Sequence, residues 1–98
     1  MTNKRAIFAK ELVQKIDKTG TVLQKTSNPF SAQLEMELVV GKTRAILRAS
    51  QSPYGNGSTN VVVKKGNRIL FEAQGDMWLQ MEISKDTDPG TWEKEFGL

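Results

Sequence analysis

The chain contains neither histidine nor cysteine, so the commonest general base, the commonest metal ligand and the thiolate nucleophile are all absent. Any catalysis would have to run on carboxylates, lysine, serine or tyrosine, or on a hard cation held by carboxylates. Asp86 and Asp88 stand close together, but Pro89 and Gly90 beside them mark a turn rather than a paired acid and base. Glu35 and Glu37 point the same way from one predicted strand, with Arg48 and Arg44 in diagonal reach across a hairpin, and read as cross-strand ion pairs. Glu72 sits between apolar neighbours and fits either a buried acid or an exposed sheet edge. The spaced glycines of Tyr54-Gly55-Asn56-Gly57 precede a strand, so no helix N-terminus follows to hold a phosphate. Asn56-Gly57-Ser58 matches a glycosylation acceptor, but nothing in the sequence directs export. No catalytic residues, metal ligands or cofactor are therefore expected, and the chain reads as a non-enzyme.

The elements that position these residues have to fold without staples. The chain has 98 residues, 38% of them hydrophobic and 26% charged. That is room for one modest core and one domain spanning residues 1–98, and too apolar for a disordered chain. No disulfide is available, which suits a cytoplasmic protein. The stretch Ala6–Ala9 is broken by Lys10 and Glu11 and is too short for a signal peptide or a membrane span, so a soluble protein without membrane contact is expected. The net charge is +3, but it is unevenly spread. Residues 1–25 hold six basic side chains against two acidic ones, and residues 76–98 hold six acidic against two basic. Such a split fits a nucleic-acid surface with an acidic tail, head-to-tail contact between copies, or a mixed solvated surface.

The pattern predicts an α+β fold: an N-terminal amphipathic helix packed on a four- or five-stranded antiparallel β-meander, with a short C-terminal helical turn. Phe8, Leu12 and Ile16 recur on one face of a helix over residues 4–18, with Ala9 and Val13 beside them. Thr2 or Asn3 can cap its start, and Gly20 can close its end in the left-handed conformation. Ile7 falls on the polar side. A short strand over 21–25 and a turn at Asn28-Pro29 follow. Residues 32–40 alternate, and Gly41-Lys42 has the pattern of a type II′ turn, which sets Val40 opposite Thr43, Leu38 opposite Ala45 and Met36 opposite Leu47. Residues 50–59 form a loop. Gly66-Asn67 and Gly75-Asp76 suggest two further tight turns, and Trp92 and Phe96 share one side of a helical turn over 91–96. The expected core is Phe8, Leu12, Ile16, Leu34, Met36, Leu38, Leu47, Leu79, Met81 and Ile83.

If those turns are each two residues long, Val63 faces Leu70 and Leu70 faces Met81. The opposite face of the sheet then gathers Val62, Ile69, Phe71, Ala73 and Trp78, with only Lys64, Gln80 and Glu82 to hydrate it. A patch that apolar needs a cover. Trp92 and Phe96 could fold over it, or a protein partner or second copy could dock there, anchored by Trp78 and Phe71 with Val62 and Ile69, and with Tyr54 at the tip of the long loop. The leading expectation is a small inhibitor, adaptor or assembly subunit acting through protein–protein contacts, including self-association. The alternative is single-stranded nucleic-acid binding, with Lys4, Lys10, Lys15 and Lys18 on the helix and Arg44 and Arg48 on the sheet contacting phosphates.

Overall fold

A computed structural model describes residues 4–29, 31–52 and 57–98. Helix α1 (Lys4–Thr19) is followed by strands β1 (Thr21–Ser27), β2 (Ala32–Val40), β3 (Thr43–Gln51), β4 (Gly57–Lys65), β5 (Arg68–Asp76) and β6 (Met81–Asp86), and a 3-10 turn covers Glu93–Phe96. The strands form one antiparallel sheet in sequence order β1-β2-β3-β4-β5-β6. The class and the meander are as the pattern predicts, with six strands in place of four or five. The sequence understates the count because all of β1 is exposed and so shows no alternation; β4 is also longer than expected, beginning at Gly57 inside the stretch that reads as loop.

The β2–β3 hairpin has the expected register throughout, from Val40 opposite Thr43 to Leu34 opposite Ala49. Gly41 and Gly66 carry φ of +62° and +63°, which an L-residue adopts only with strain and which places them first in tight hairpin turns. Gly20 departs from expectation: it lies outside the left-handed region. A Cβ there would sit 2.8 Å from the Glu37 carbonyl oxygen, so the glycine is needed for close passage of helix end and strand. The cap residues Thr2 and Asn3 lie outside the described residues.

Two bulges correct the register of the last strands. Lys65 and Lys64 face Arg68 and Ile69 as a two-residue Gly66-Asn67 turn requires, but Val63 then faces Phe71 and Val61 faces Ala73. Leu70 is the extra residue, and both Leu70 and Phe71 end up buried. A one-residue insertion moves every following side chain to the other face of the strand, so Phe71 and Ala73 belong to the core. A second irregularity sets Ala73 opposite Ile83 and Glu72 opposite Lys85. The expected Gly75-Asp76 turn does not form: β5 runs through both residues, Gly75 faces Met81, and the chain turns over 77–80.

The helix lies across the strands. Its first turn meets β6 through Arg5 and Asp86, while Gly20 at its end passes β2. Ala9, Leu12, Val13 and Ile16 are buried against Met36, Ala45, Leu47, Val61 and Val63. Phe8, Leu34, Leu38, Leu79, Met81 and Ile83, all expected in the core, pack around its margin. Trp92 and Phe96 join this same face rather than the opposite one. Phe8 lies 5.5 Å from Phe71 and 5.4 Å from Trp92 between ring centroids, and Trp92 lies 6.0 Å from Phe96, the two pairs to Phe8 and the Trp92–Phe96 pair all edge-on.

Arg5 closes this cluster from above. Its guanidinium donates to both carboxylate oxygens of Asp86 at 2.7 and 2.8 Å, approaches Glu93 at 2.6 Å and lies 4.4 Å from the Phe8 ring centroid. Hydrogen bonding to Asp86, opposed by desolvation and helped by Glu93, holds the arginine above its ordinary pKa. The arginine side of the clasp is therefore charged at all ordinary pH, and its contribution is lost as the pH rises through its raised pKa in strongly alkaline solution. Replacing Arg5 with Met should lower stability by about 1–3 kcal/mol by stranding two half-buried carboxylates, and Leu12→Ala should lower it by about 2–5 kcal/mol. Chemical denaturation of the two variants checks both, and an unchanged midpoint for Arg5→Met would show that the clasp does not form.

Candidate functional surface at the β5–β6 turn

Met77 to Gln80 connect β5 to β6, and one carboxylate organises them. Asp76 Oδ1 accepts the backbone N–H groups of Trp78 at 2.9 Å and Gln80 at 3.1 Å, while the Asp76 carbonyl accepts that of Leu79 at 3.0 Å. Leu79 is held at φ +58°, a conformation that a Cβ makes costly. Its side chain packs on the margin of the core. Met77 is wedged against β4: a Cβ added at Gly57 would lie 2.8 Å from the Met77 Cβ. With Met77 turned to β4 and Leu79 to the core, Trp78 between them projects into solvent at 72% exposure, the most exposed of the large hydrophobic side chains described.

The remaining residues expected at a partner surface are dispersed. Val62 and Ile69 lie half-buried on the open face of the sheet, and together with Ile46 they line a shallow depression of about 310 Å³ that also takes in Arg48, Asn60 and Lys64. Phe71 is fully buried and contributes nothing to that face. Tyr54 lies outside the described residues. Without Phe71, Ala73 and Trp78, the open face is a mixed surface in which ion pairs flank a small apolar centre. The expected patch, too apolar to stand in water, is thus not present among the described residues.

The basic residues are also divided. Lys4, Lys10 and Lys18 are exposed on the helix, on the covered side of the sheet. Arg44 and Arg48 stand on the open side, where they pair with Glu37 at 2.6 Å and Glu35 at 3.0 Å. Lys15 is half-buried, with its ammonium close to Gly97. The acidic C-terminal stretch is largely consumed within the fold: Asp86 and Glu93 by Arg5, Asp88 by Arg68 at 2.6 Å, and Glu95 by the Thr43 hydroxyl at 2.9 Å. Among the described residues no group of three or more acidic side chains is placed to hold a metal ion, and no helix is long and apolar enough to cross a membrane.

The role of Asp76 was not visible beforehand, because Gly75-Asp76 reads as the turn itself. The usable signal is an aspartate followed at short range by two residues whose N–H groups leave the ladder. Asp76→Ala should lower stability by about 0.5–1.5 kcal/mol and raise the backbone mobility of Trp78 in NMR relaxation, and an order parameter unchanged at Trp78 would contradict the assigned role.

Comparison with known proteins finds no family model, curated protein or solved structure that matches the chain.

Proposed function

We propose that the protein is a non-enzymatic binding protein that docks another protein through the β5–β6 turn, with Trp78 as the anchor. One observation carries this reading: a tryptophan 72% exposed on a turn that is held in a fixed shape by Asp76 and a left-handed Leu79. An exposed indole at a rigid site loses little side-chain freedom on association and brings a large apolar area, the combination that makes tryptophan a dominant interface residue. Strain of the kind seen at Leu79 collects where a backbone shape is needed for function. The non-enzymatic reading is supported by the carboxylates, most of which are engaged in ion pairs or in turn geometry. A cytoplasmic setting belongs to the same proposal and rests on the cysteine-free composition.

Nucleic-acid binding has less to rest on. Its six candidate cations fall on two sides of the sheet, and the two arginines are already neutralised. Base stacking also needs exposed rings, and Trp78 is the exposed one among the described residues.

Trp78→Lys should leave the melting temperature within a degree or two of the parent, because the side chain buries little. It should abolish capture of the partner from native cell extract, and any self-association seen by light scattering. Unfolding of the variant, or capture and mass identical to the parent, would contradict the proposal. Labelled single-stranded DNA and RNA should bind weakly or not at all even at low salt; tight binding that falls steeply with added salt would favour the alternative.

A further inference from the structure

The surface around Trp78 has a charge opposite to that of the whole molecule. The chain carries a net +3, yet residues 57–63 and 69–84 contain no lysine or arginine and hold three carboxylates, Glu72, Asp76 and Glu82. The residues outside the description add no charged side chain. Asp76, Gln80 and Glu82 line one shallow depression with Asn60 and Gln74. In the row that crosses the sheet there, Glu82 faces Gln74, Gln74 faces Asn60 and Asn60 faces Arg48. The cation of that row therefore stands three strands away from Glu82, about 14 Å, and is already paired with Glu35. Lys85 stands opposite Glu72 instead. Neither Asp76 nor Glu82 forms a salt bridge with a described residue.

That charge constrains whatever covers the indole. Asp76 Oδ1 accepts the Trp78 backbone N–H at 2.9 Å, so a surface laid on the Trp78 ring also strips water from this carboxylate. The second Asp76 oxygen makes no hydrogen bond with a described residue. A carboxylate desolvated without a counter-charge weakens an interface, whereas one met by a cation helps to hold and orient it. The face of an exposed indole attracts a cation as well. One kind of group meets both demands: a guanidinium or ammonium carried on an aliphatic stem.

We propose that the partner docked at Trp78 presents a basic segment, with an arginine or lysine stacked on the indole and paired with Asp76 and Glu82. This rests on the reading of Trp78 as a docking anchor. The probe is a capped pentapeptide centred on Arg-Leu-Arg, titrated into the intact chain at low salt, with Gln-Leu-Gln and Glu-Leu-Glu counterparts as controls. The arginine peptide should shift the NMR signals of the Trp78 indole N–H and of the Gln80 and Glu82 amides saturably, with a Kd of about a millimolar. Added salt should weaken it. The glutamine peptide should bind about fivefold more weakly and the glutamate peptide not at all. Glu82 is exposed and makes no hydrogen bond in the turn. Glu82→Gln should therefore cost the arginine peptide about threefold, and Glu82→Lys about tenfold, with the fold intact. Asp76→Asn, which keeps an oxygen acceptor for the turn N–H groups, should also cost about threefold. No saturable shift at Trp78, equal affinity for the three peptides, or indifference to Glu82→Lys would overturn the proposal. Capture from native cell extract separates the two readings. Capture lost with Trp78→Lys but kept with Glu82→Lys would leave the anchor standing and refute the basic partner, whereas capture kept in both would refute the anchor itself.

Discussion

One helix has to cover a sheet that is wider and longer than itself. Sixteen residues of α1 span about 24 Å, enough to cross most of a six-stranded sheet but only a fraction of the length of its strands. The molecule is in consequence divided along the strand direction. At the end of the Gly41-Lys42 and Gly66-Asn67 hairpins, the helix and the C-terminal segment make a dense core. At the other end the inner face is shallow and lined by small residues, and the turn that carries Trp78 lies there as well.

The clasp at Arg5 makes the covered end close. Before Phe8 the helix offers only the small Ala6 and the outward-facing Ile7, so its first turn is tied down by charge instead, to Asp86 of β6 and Glu93 of the C-terminal turn. The same guanidinium lies over the Phe8 and Phe71 rings, both of which pack against Trp92, and this joins three distant parts of the chain in one cluster. Of the opposite charges of the two chain ends, which suggest contact between copies when read along the sequence, Arg5 is spent on Asp86 and Glu93 within one fold, while Lys4, Lys10 and Lys18 stay exposed on the helix.

The sequence was legible where one rule governs. The β2–β3 hairpin combines strict alternation with a glycine-first turn, and every pair follows from those two facts. The helix and the position of its apolar stripe follow from spacing alone. Legibility ended at single-residue events. Nothing in Arg68–Ala73 marks Leu70 as a bulge, since Leu70 and Phe71 are both apolar and either could face inward. The bulge moved Phe71 and Ala73 into the core, and with them went the reason to expect a cover for the other face. Trp78 remained exposed, but through the Asp76 turn and not as part of a strand.

The division into a closed end and an open end is tested most directly by its two tryptophans, because one belongs to each. Trp78→Phe leaves Trp92 as the sole indole, so acrylamide quenching of the parent and of this variant separates the two signals. Trp92, 2% exposed, should emit at short wavelength and resist quenching, while the difference signal from Trp78 should emit as indole does in water and be quenched several-fold more steeply. Equal quenching of the two, or a Trp78 signal as protected as that of Trp92, would contradict the account.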